Sequence, residues 1–297
     1  MTTSPHKAGY VSIIGKPNVG KSTLMNVLVG ENLSIITSKA QTTRHRIQGI
    51  LSGDDFQIIY SDTPGIIDPK YKLHESMMDS VKSSLDDADV LLFITDIYEK
   101  HDEQPIIERL KRINKPLILL INKVDQVKTQ EEVVEKIAYW QEALEPKEII
   151  PISALLSLGV EQVFESIIQN LPEHPAYFDK DQLTDKSERF FTAEMIRERI
   201  FVNLKKEVPY SCEVTISDFK EEPDIIRIRA VILVERDSQK GIIIGEGGKK
   251  LKQIGTEARE MLEEFFQKKV FLEQHVKVEA NWRKDENKLK TFGYINK

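Results

Sequence analysis

The run Gly15-Lys16-Pro17-Asn18-Val19-Gly20-Lys21-Ser22 constrains this chain more than any other stretch. Its spacing is GxxxxGKS. An apolar run, Tyr10–Ile14, precedes it, and a helical pattern beginning at Thr23 follows. A strand, a glycine-bearing loop and a helix in that order build a cradle for phosphate. The loop turns several backbone N–H groups toward one anion, and the helix adds its positive end at the same point. Lys21 is placed to reach the outer phosphates of a nucleotide, and the Ser22 hydroxyl to hold Mg²⁺, with Gly15–Thr23 wrapped around the phosphates. The plain alternative is a turn between a strand and a helix. That turn does not require all four fixed residues at once.

The cradle implies a sheet, and the next stretches supply one. Apolar runs at Tyr10–Ile14, Ile47–Leu51, Phe56–Tyr60, Val90–Thr95, Leu117–Ile121 and Ile149–Ile152 alternate with helical patterns as far as Leu171. Continuous apolar strands separated by helices predict an α/β fold, a mostly parallel sheet with helices on both faces. Ile47–Leu51 and Phe56–Tyr60 are joined by Ser52-Gly53-Asp54-Asp55, which predicts a hairpin and so one antiparallel edge strand. Ligands in such sheets sit beyond the carboxyl ends of the strands. The remaining motifs all fall there.

Asp62-Thr63-Pro64-Gly65 follows the third strand. Asp62 is expected to reach Mg²⁺ through a water, and the Gly65 N–H to reach the γ-phosphate. Because that contact exists only with a triphosphate, the segment can act as a switch. Asn122-Lys123-Val124-Asp125 follows the fifth strand. The Asp125 carboxylate can accept from guanine N1–H and from the exocyclic amine, which adenine cannot match. Asn122 is expected to tie this loop to the phosphate loop, and the Lys123 stem to lie on the base. Ser153-Ala154 ends the last strand, with the Ala154 N–H available to guanine O6. In the loop Ser38–Arg44, a threonine is expected to become a second protein ligand to Mg²⁺. Thr43 is the first choice and Thr42 the fallback. Lys21, Thr43, Asp62 and Gly65 are thus the candidate catalytic group.

In the order GKPNVGKS, Thr42-Thr43, Asp62–Gly65, Asn122–Asp125 and Ile152-Ser153-Ala154, the sequence resembles the translation-factor-related class of GTPases. GKPNVGKS together with Gln41-Thr42-Thr43-Arg44 resembles its Era branch. The resemblance implies GTP and GDP as ligands, Mg²⁺ as cofactor, GTP hydrolysis, and two switch loops around Thr37–Gln48 and Asp62–His74. It also implies that Asn18 helps to hold an activating K⁺. Ile66 stands where Ras-like GTPases carry a water-orienting glutamine, so slow intrinsic hydrolysis is expected.

At 297 residues the chain has room for about two domains. The expected division is a GTPase domain over 1–173, a polar, proline-bearing linker over 174–187, and a second domain over 188–297. The net charge is −6, and nearly all of it lies in the first part: residues 1–180 carry −7 and residues 181–297 carry +1. The second part is the less hostile to a polyanion. There a helical pattern over Glu188–Glu207 precedes strands at Ser211–Phe219 and Ile225–Val234. Next come Lys240–Leu251, a helix to Phe266 and a strand at Val270–Val278. The order α-β-β-α-α-β with GxxG at Gly245–Gly248 resembles a smaller α+β KH domain of the prokaryotic type, type II. Such modules clamp about four single-stranded nucleotides. Gly245, Gly247 and Gly248 would let the RNA backbone approach. Ile242, Ile243 and Ile244 would line an apolar groove, and Lys240, Lys249, Lys250 and Lys252 would meet phosphates. Acidic Glu246 between the glycines departs from many such loops. The segment Trp282–Tyr294 reads either as a capping helix or as a further RNA contact.

Joined, the two domains resemble Era over about Gly9–Asn296. This implies binding to the single-stranded 3′ end of small-subunit ribosomal RNA and a part in 30S subunit biogenesis. The competing readings are an ATPase, and a GTPase of a membrane-associated or metabolic complex whose second domain docks a protein. Cys212 is the only cysteine, so no intramolecular disulfide can form. Met1–Lys7 has no apolar core of a leader peptide, and no apolar run approaches the ~20 residues of a membrane helix. The expectation is a cytoplasmic monomer. Family resemblance alone adds peripheral contact with the inner face of the cytoplasmic membrane.

Overall fold

A computed structural model describes residues 5–99 and 104–295. Residues 1–4, 100–103 and 296–297, which include the outer ends of both expected domains, lie outside the described residues. The chain divides into two units. One comprises Met1–Ser34, Thr43–Asp68 and Met77–Asp185; the other comprises Ile35–Thr42, Pro69–Ser76 and Lys186–Lys297.

The first unit holds strands β1 (Lys7–Ile14), β2 (Ile47–Ser52), β3 (Phe56–Asp62), β4 (Val90–Asp96), β5 (Leu117–Asn122) and β6 (Glu148–Pro151) in the order β2-β3-β1-β4-β5-β6. β2 runs antiparallel to β3, with Ile50 opposite Ile59, as the short polar turn predicts. The other pairings are parallel. Helices α1 (Lys21–Val29), α2 (Lys72–Asp87), α3 (Gln104–Lys111), α4 (Gln130–Leu144) and α5 (Val160–Asn170) complete the pattern. Leu91, Phe93, Leu119 and Ile121 pack against Val81, Leu85, Ile107, Leu110, Trp140 and Leu144. The intervening Leu92, Ile94, Ile118 and Leu120 are also buried. Side chains alternate along a strand, so these face the other side of the sheet, which therefore needs a second helical cover. Register then does the positioning: Ile13 lies opposite Asp62, and Asp96 opposite Asn122, so the motif-bearing strand ends reach one edge together.

The stretch expected as a linker is mostly bound. Gln57, fully buried, accepts from the backbone N–H groups of Tyr177 (2.7 Å) and Phe178 (2.9 Å). The Ile50 N–H donates to the Leu183 carbonyl (2.8 Å), and Thr184 Oγ1 donates to the Gln48 carbonyl (2.7 Å). The reason is the edge strand. β2 leaves a row of backbone groups unpaired on its outer side, and a polar, extended segment satisfies them. The first unit accordingly runs to Asp185.

In the second unit α6 (Glu188–Asn203) is followed by β7 (Glu213–Glu221), β8 (Ile225–Val234), α7 (Asp237–Ile244), α8 (Lys249–Phe266), β9 (Lys269–Val278) and α9 (Glu286–Thr291). The sheet order is β7-β8-β9, antiparallel then parallel. α6 is capped at its start by Ser187, whose side chain accepts from the Phe190 N–H. It stops at Asn203, short of the expected Glu207, because Leu204 turns to extended backbone. Ile196, Ile200, Ala230, Ile232, Ile243, Ile254 and Ala258 form the core. The tail folds onto it. Trp282 is fully buried and donates from Nε1 to the Ser211 carbonyl (2.9 Å), while the Tyr294 hydroxyl donates to Glu213 (2.6 Å).

Candidate nucleotide site and nucleic-acid groove

The phosphate loop leaves β1 at Ile14 and enters α1 through Gly20, whose φ of 104° suits glycine. A Cβ there would also lie 2.2 Å from Asn122 Nδ2. That closeness is functional geometry, because Asn122 Nδ2 donates to the Val19 carbonyl (2.7 Å) and so fastens the loop to the end of β5. Gly65 makes a similar approach from the other side, where a Cβ would lie 2.7 Å from the Pro17 Cα. The Ile66 N–H donates to the Gly15 carbonyl (3.1 Å). The Ile66 side chain packs on the apolar core and offers nothing to orient water.

Lys21 is buried within the loop it serves. Its Nζ donates to the carbonyls of Gly15 (3.2 Å) and Lys16 (2.7 Å). Lys16 in turn pairs with Glu99 (3.3 Å). Burial pushes the Lys21 amine down to about 8 against the opposing pull of Asp62 and Glu99. Burial likewise pushes the Asp62 carboxyl up, although Ser22 hydrogen-bonds to it and Lys21 is near.

The metal candidates converge. Ser22 Oγ donates to Asp62 Oδ2 (2.7 Å), Thr43 Oγ1 donates to the same oxygen (3.3 Å), and the two hydroxyls are 2.9 Å apart. The second oxygen, Asp62 Oδ1, is buried without a hydrogen-bond partner. A hard cation with oxygen ligands fits this set of two hydroxyls and a half-satisfied carboxylate. Thr42, the fallback, points elsewhere: its hydroxyl donates to the Lys39 carbonyl (2.7 Å). Thr63 Oγ1 donates to the Ile13 carbonyl (2.8 Å), so it braces β1. Asn18 is exposed at the tip of the loop with φ 65°.

At the base-reading end, Asp125 is exposed on the single helical turn Val124–Gln126. Lys123 donates from Nζ to Asp96 Oδ2 (2.6 Å), which lays its stem along the end of β4. One expectation changes here. The Ala154 N–H, expected at guanine O6, donates to Asn122 Oδ1 (2.9 Å). Asn122 thus spends its donor on the phosphate loop and its acceptor on the Ser153-Ala154 loop, joining three strand ends. The Ser153 hydroxyl accepts from the Leu156 N–H (3.3 Å) and shapes the loop.

In the second unit, Glu246–Gly248 form a single turn between α7 and α8, with the Gly248 N–H donating to the Gly245 carbonyl (3.2 Å). Glu246, Gly247 and Lys249 are exposed, Lys240 is half-buried, and Lys250 donates to Gln253 (2.8 Å). The isoleucine triplet does not share one face. Ile243 is fully buried in the core, whereas Ile242 is half exposed. Successive helical residues are rotated by about 100°, so three in a row cannot all line a groove. A cavity of ≈ 370 Å³ instead lies between α8 and β9, lined by Gly248, Leu251, Lys252, Gly255, Arg259 and Gln274 among others. The signal for it was the spacing of Gly248, Lys252, Gly255 and Arg259 along one helical face.

A phosphate loop with its lysine and serine, a strand-end aspartate, and an Asn-Lys-x-Asp loop on one sheet edge define the phosphate-loop GTPase class. The family described as 50S ribosome-binding GTPase matches residues 10–123, and the KH domain family matches residues 207–283. GTPase ERA1, chloroplastic, of Zea mays is 46% identical over 97% of this chain and 71% of its own length. A crystal structure of Era in complex with MgGDPNP and nucleotides 1506–1542 of 16S ribosomal RNA has a TM-score of 0.93 and 40% identity. It covers 97% of this chain and 99% of its own. Era of Aquifex aeolicus, as a point variant bound to GDP and aluminium fluoride, matches at 0.93 and 41% identity with the same coverage. The chain belongs to the Era family of GTPases. No helix among the described residues is long and apolar enough to cross a membrane.

Proposed function

We propose that this GTPase binds the single-stranded 3′ end of small-subunit ribosomal RNA and assists 30S subunit biogenesis in the cytoplasm, with GTP and GDP setting how firmly it holds RNA. The observation that carries this is the likeness over 97% of the chain to Era crystallised with MgGDPNP and 16S ribosomal RNA. The family description naming the 50S particle covers only residues 10–123. The likeness to the RNA complex includes the second unit, so it is the better guide to the partner.

Within this reading residues 1–173 are the GTPase domain and 188–297 the RNA-binding domain. Ser22, Thr43 and Asp62 hold Mg²⁺, which when bound neutralises charge that builds on the β- and γ-phosphates. Lys21 meets the same phosphates, and the Gly65 N–H senses the third. Asp125 reads guanine, Lys123 flanks the base, and Asn122 holds the three loops in register. Asn18 is placed for a K⁺ ion at the loop tip. Lys249, Lys250 and Lys252 meet RNA phosphates around the Gly245–Gly248 turn, and the cavity between α8 and β9 takes the bases.

Filter binding of an oligonucleotide carrying the 3′-end sequence tests this reading. Retention is expected to be tighter with a non-hydrolysable GTP analogue than with GDP. Absence of retention in both states would replace it with a protein-docking role for the second unit.

A further inference from the structure

Arg197, on α6, is fully buried. A guanidinium is not placed there without partners, because the desolvation it suffers must be offset by its contacts. Glu194, one turn earlier, supplies a bidentate partner: Arg197 Nε donates to Oε1 at 2.7 Å, and Nη2 donates to Oε2. Nη2 also donates to the main-chain carbonyl of Thr42. That carbonyl lies in the segment Ile35–Thr42, which packs as part of the second unit. The segment is tied to the same helix a second time, since Lys39 Nζ donates to the carbonyls of Phe201 and Leu204 at its C-terminal end. The negative pole of a helix is where an ammonium is best placed. Inside the segment the Thr42 hydroxyl turns to the Lys39 carbonyl and the Thr37 hydroxyl (2.6 Å), closing a compact loop.

The next residue is Thr43, whose hydroxyl sits beside Ser22 and Asp62. The Thr42 carbonyl and the Thr43 Cα belong to one planar peptide unit and do not rotate relative to each other. One rigid plane therefore carries the Arg197 tie at one end and the root of the metal-site threonine at the other.

We infer that Arg197 is a positioning residue for the GTPase reaction: by holding the Thr42 carbonyl it sets where Thr43 presents its hydroxyl. This rests on the reading of Thr43 as a Mg²⁺ ligand in the triphosphate state. Arg197 itself touches neither phosphate nor metal. Because Thr43 is used only with the triphosphate, the tie favours that state over the diphosphate.

The test uses the full chain in three variants. Arg197→Lys keeps the charge but loses the fork that serves carboxylate and carbonyl together. The double variant Glu194→Gln with Arg197→Met removes both buried charges and keeps the volume. Lys39→Ala cuts the second tie at a half-buried position. For the Arg197 variants, affinity for a GTP analogue with Mg²⁺ is expected to fall about tenfold, with GDP affinity within about twofold of the parent. The ratio of RNA affinities between analogue and GDP complexes is expected to collapse toward one. Lys39→Ala is expected to move both quantities the same way by about threefold, and it decides the matter if the Arg197 variants do not fold. A folded variant whose analogue-to-GDP affinity ratio is unchanged overturns the role of Arg197. Thr43→Ala run alongside separates the two premises: if it too leaves that ratio unchanged, the assignment of Thr43 fails, and the inference with it.

Discussion

The molecule uses the same local device twice and burdens it differently. α1 and α8 both begin after a left-handed glycine, Gly20 and Gly248, so both present unpaired N–H groups and a positive helix end. Around Gly20 the surroundings are dry. Lys21 is buried, Asp62 is buried with an unpartnered oxygen, and Asn122 locks the loop from behind. Around Gly248 they are wet: Glu246, Gly247 and Lys249 are exposed, and the neighbouring cavity is open. Buried charge gives strong, short-range, geometry-dependent recognition of one compact polyanion. Exposed charge gives weaker, screened attraction to an extended one. The geometry of a helix N-terminus therefore does not decide the ligand; the dielectric around it does.

The largest expected effect breaks the buried half. Lys21→Ala removes a charged donor enclosed by the loop and should weaken GTP and GDP binding about 100-fold, as loss of a buried charge-assisted contact does. Nucleotide titration measures the loss, and circular dichroism with RNA binding in the nucleotide-free protein checks that the second unit is intact. A loss under fivefold would mean that the burial of Lys21 is not what gives the loop its grip.

How much of this was legible in the chain depends on the distance over which each feature is determined. The phosphate loop, the strand-end motifs and the helix–turn–helix of the second unit are local patterns, and the sheet edge gathers them because parallel strands share a direction. Three things were hidden. Residues 174–187 read as a linker because polar composition does not say whether water or an edge strand takes up the hydrogen bonds. Ile242, Ile243 and Ile244 read as one apolar wall, though helical rotation sends Ile243 into the core. The Ala154 N–H read as free for the base, while its partner Asn122 is a long-range neighbour that no spacing announces. The choice of Thr43 over Thr42 is of the same kind: the pair is adjacent in sequence, and only the path of the chain decides which hydroxyl faces Asp62.

A smaller effect sharpens the comparison through pH. In the free protein, burial holds the Lys21 amine down to about 8. A bound polyphosphate favours its charged form, so binding above that pH must take up a proton. Affinity for GDP should then be level near pH 7 and fall as pH rises, reaching about a tenfold loss by pH 9. The sign follows from a base whose value is lowered in the free site and raised on binding. Isothermal titration in two buffers of different ionisation heat counts the proton directly. RNA affinity over the same range is the internal reference, expected to move less than about twofold. Equal slopes for both ligands would erase the contrast between dry and wet helix starts.

The smallest effect addresses the exposed half and should appear in salt dependence more than in affinity. Lys249 and Lys252 lie at the start of α8, both exposed, the second against the cavity. Each phosphate a lysine neutralises on a single strand releases condensed counterions and contributes about 0.7 to the slope of log K against log salt. The double substitution Lys249→Ala with Lys252→Ala should therefore flatten that slope by about 1.4 and weaken RNA binding only several-fold at moderate salt. The GTP affinity of the same variant should be unchanged. An unaltered slope would place the RNA phosphates elsewhere on the second unit. Arg259, on the same helical face, is engaged with Glu263 at 2.9 Å through both carboxylate oxygens, and would then have to exchange that partner for phosphate. Such an exchange replaces one ion pair by another, so it would leave a salt slope closer to zero than free lysines give, and the measured number distinguishes the two.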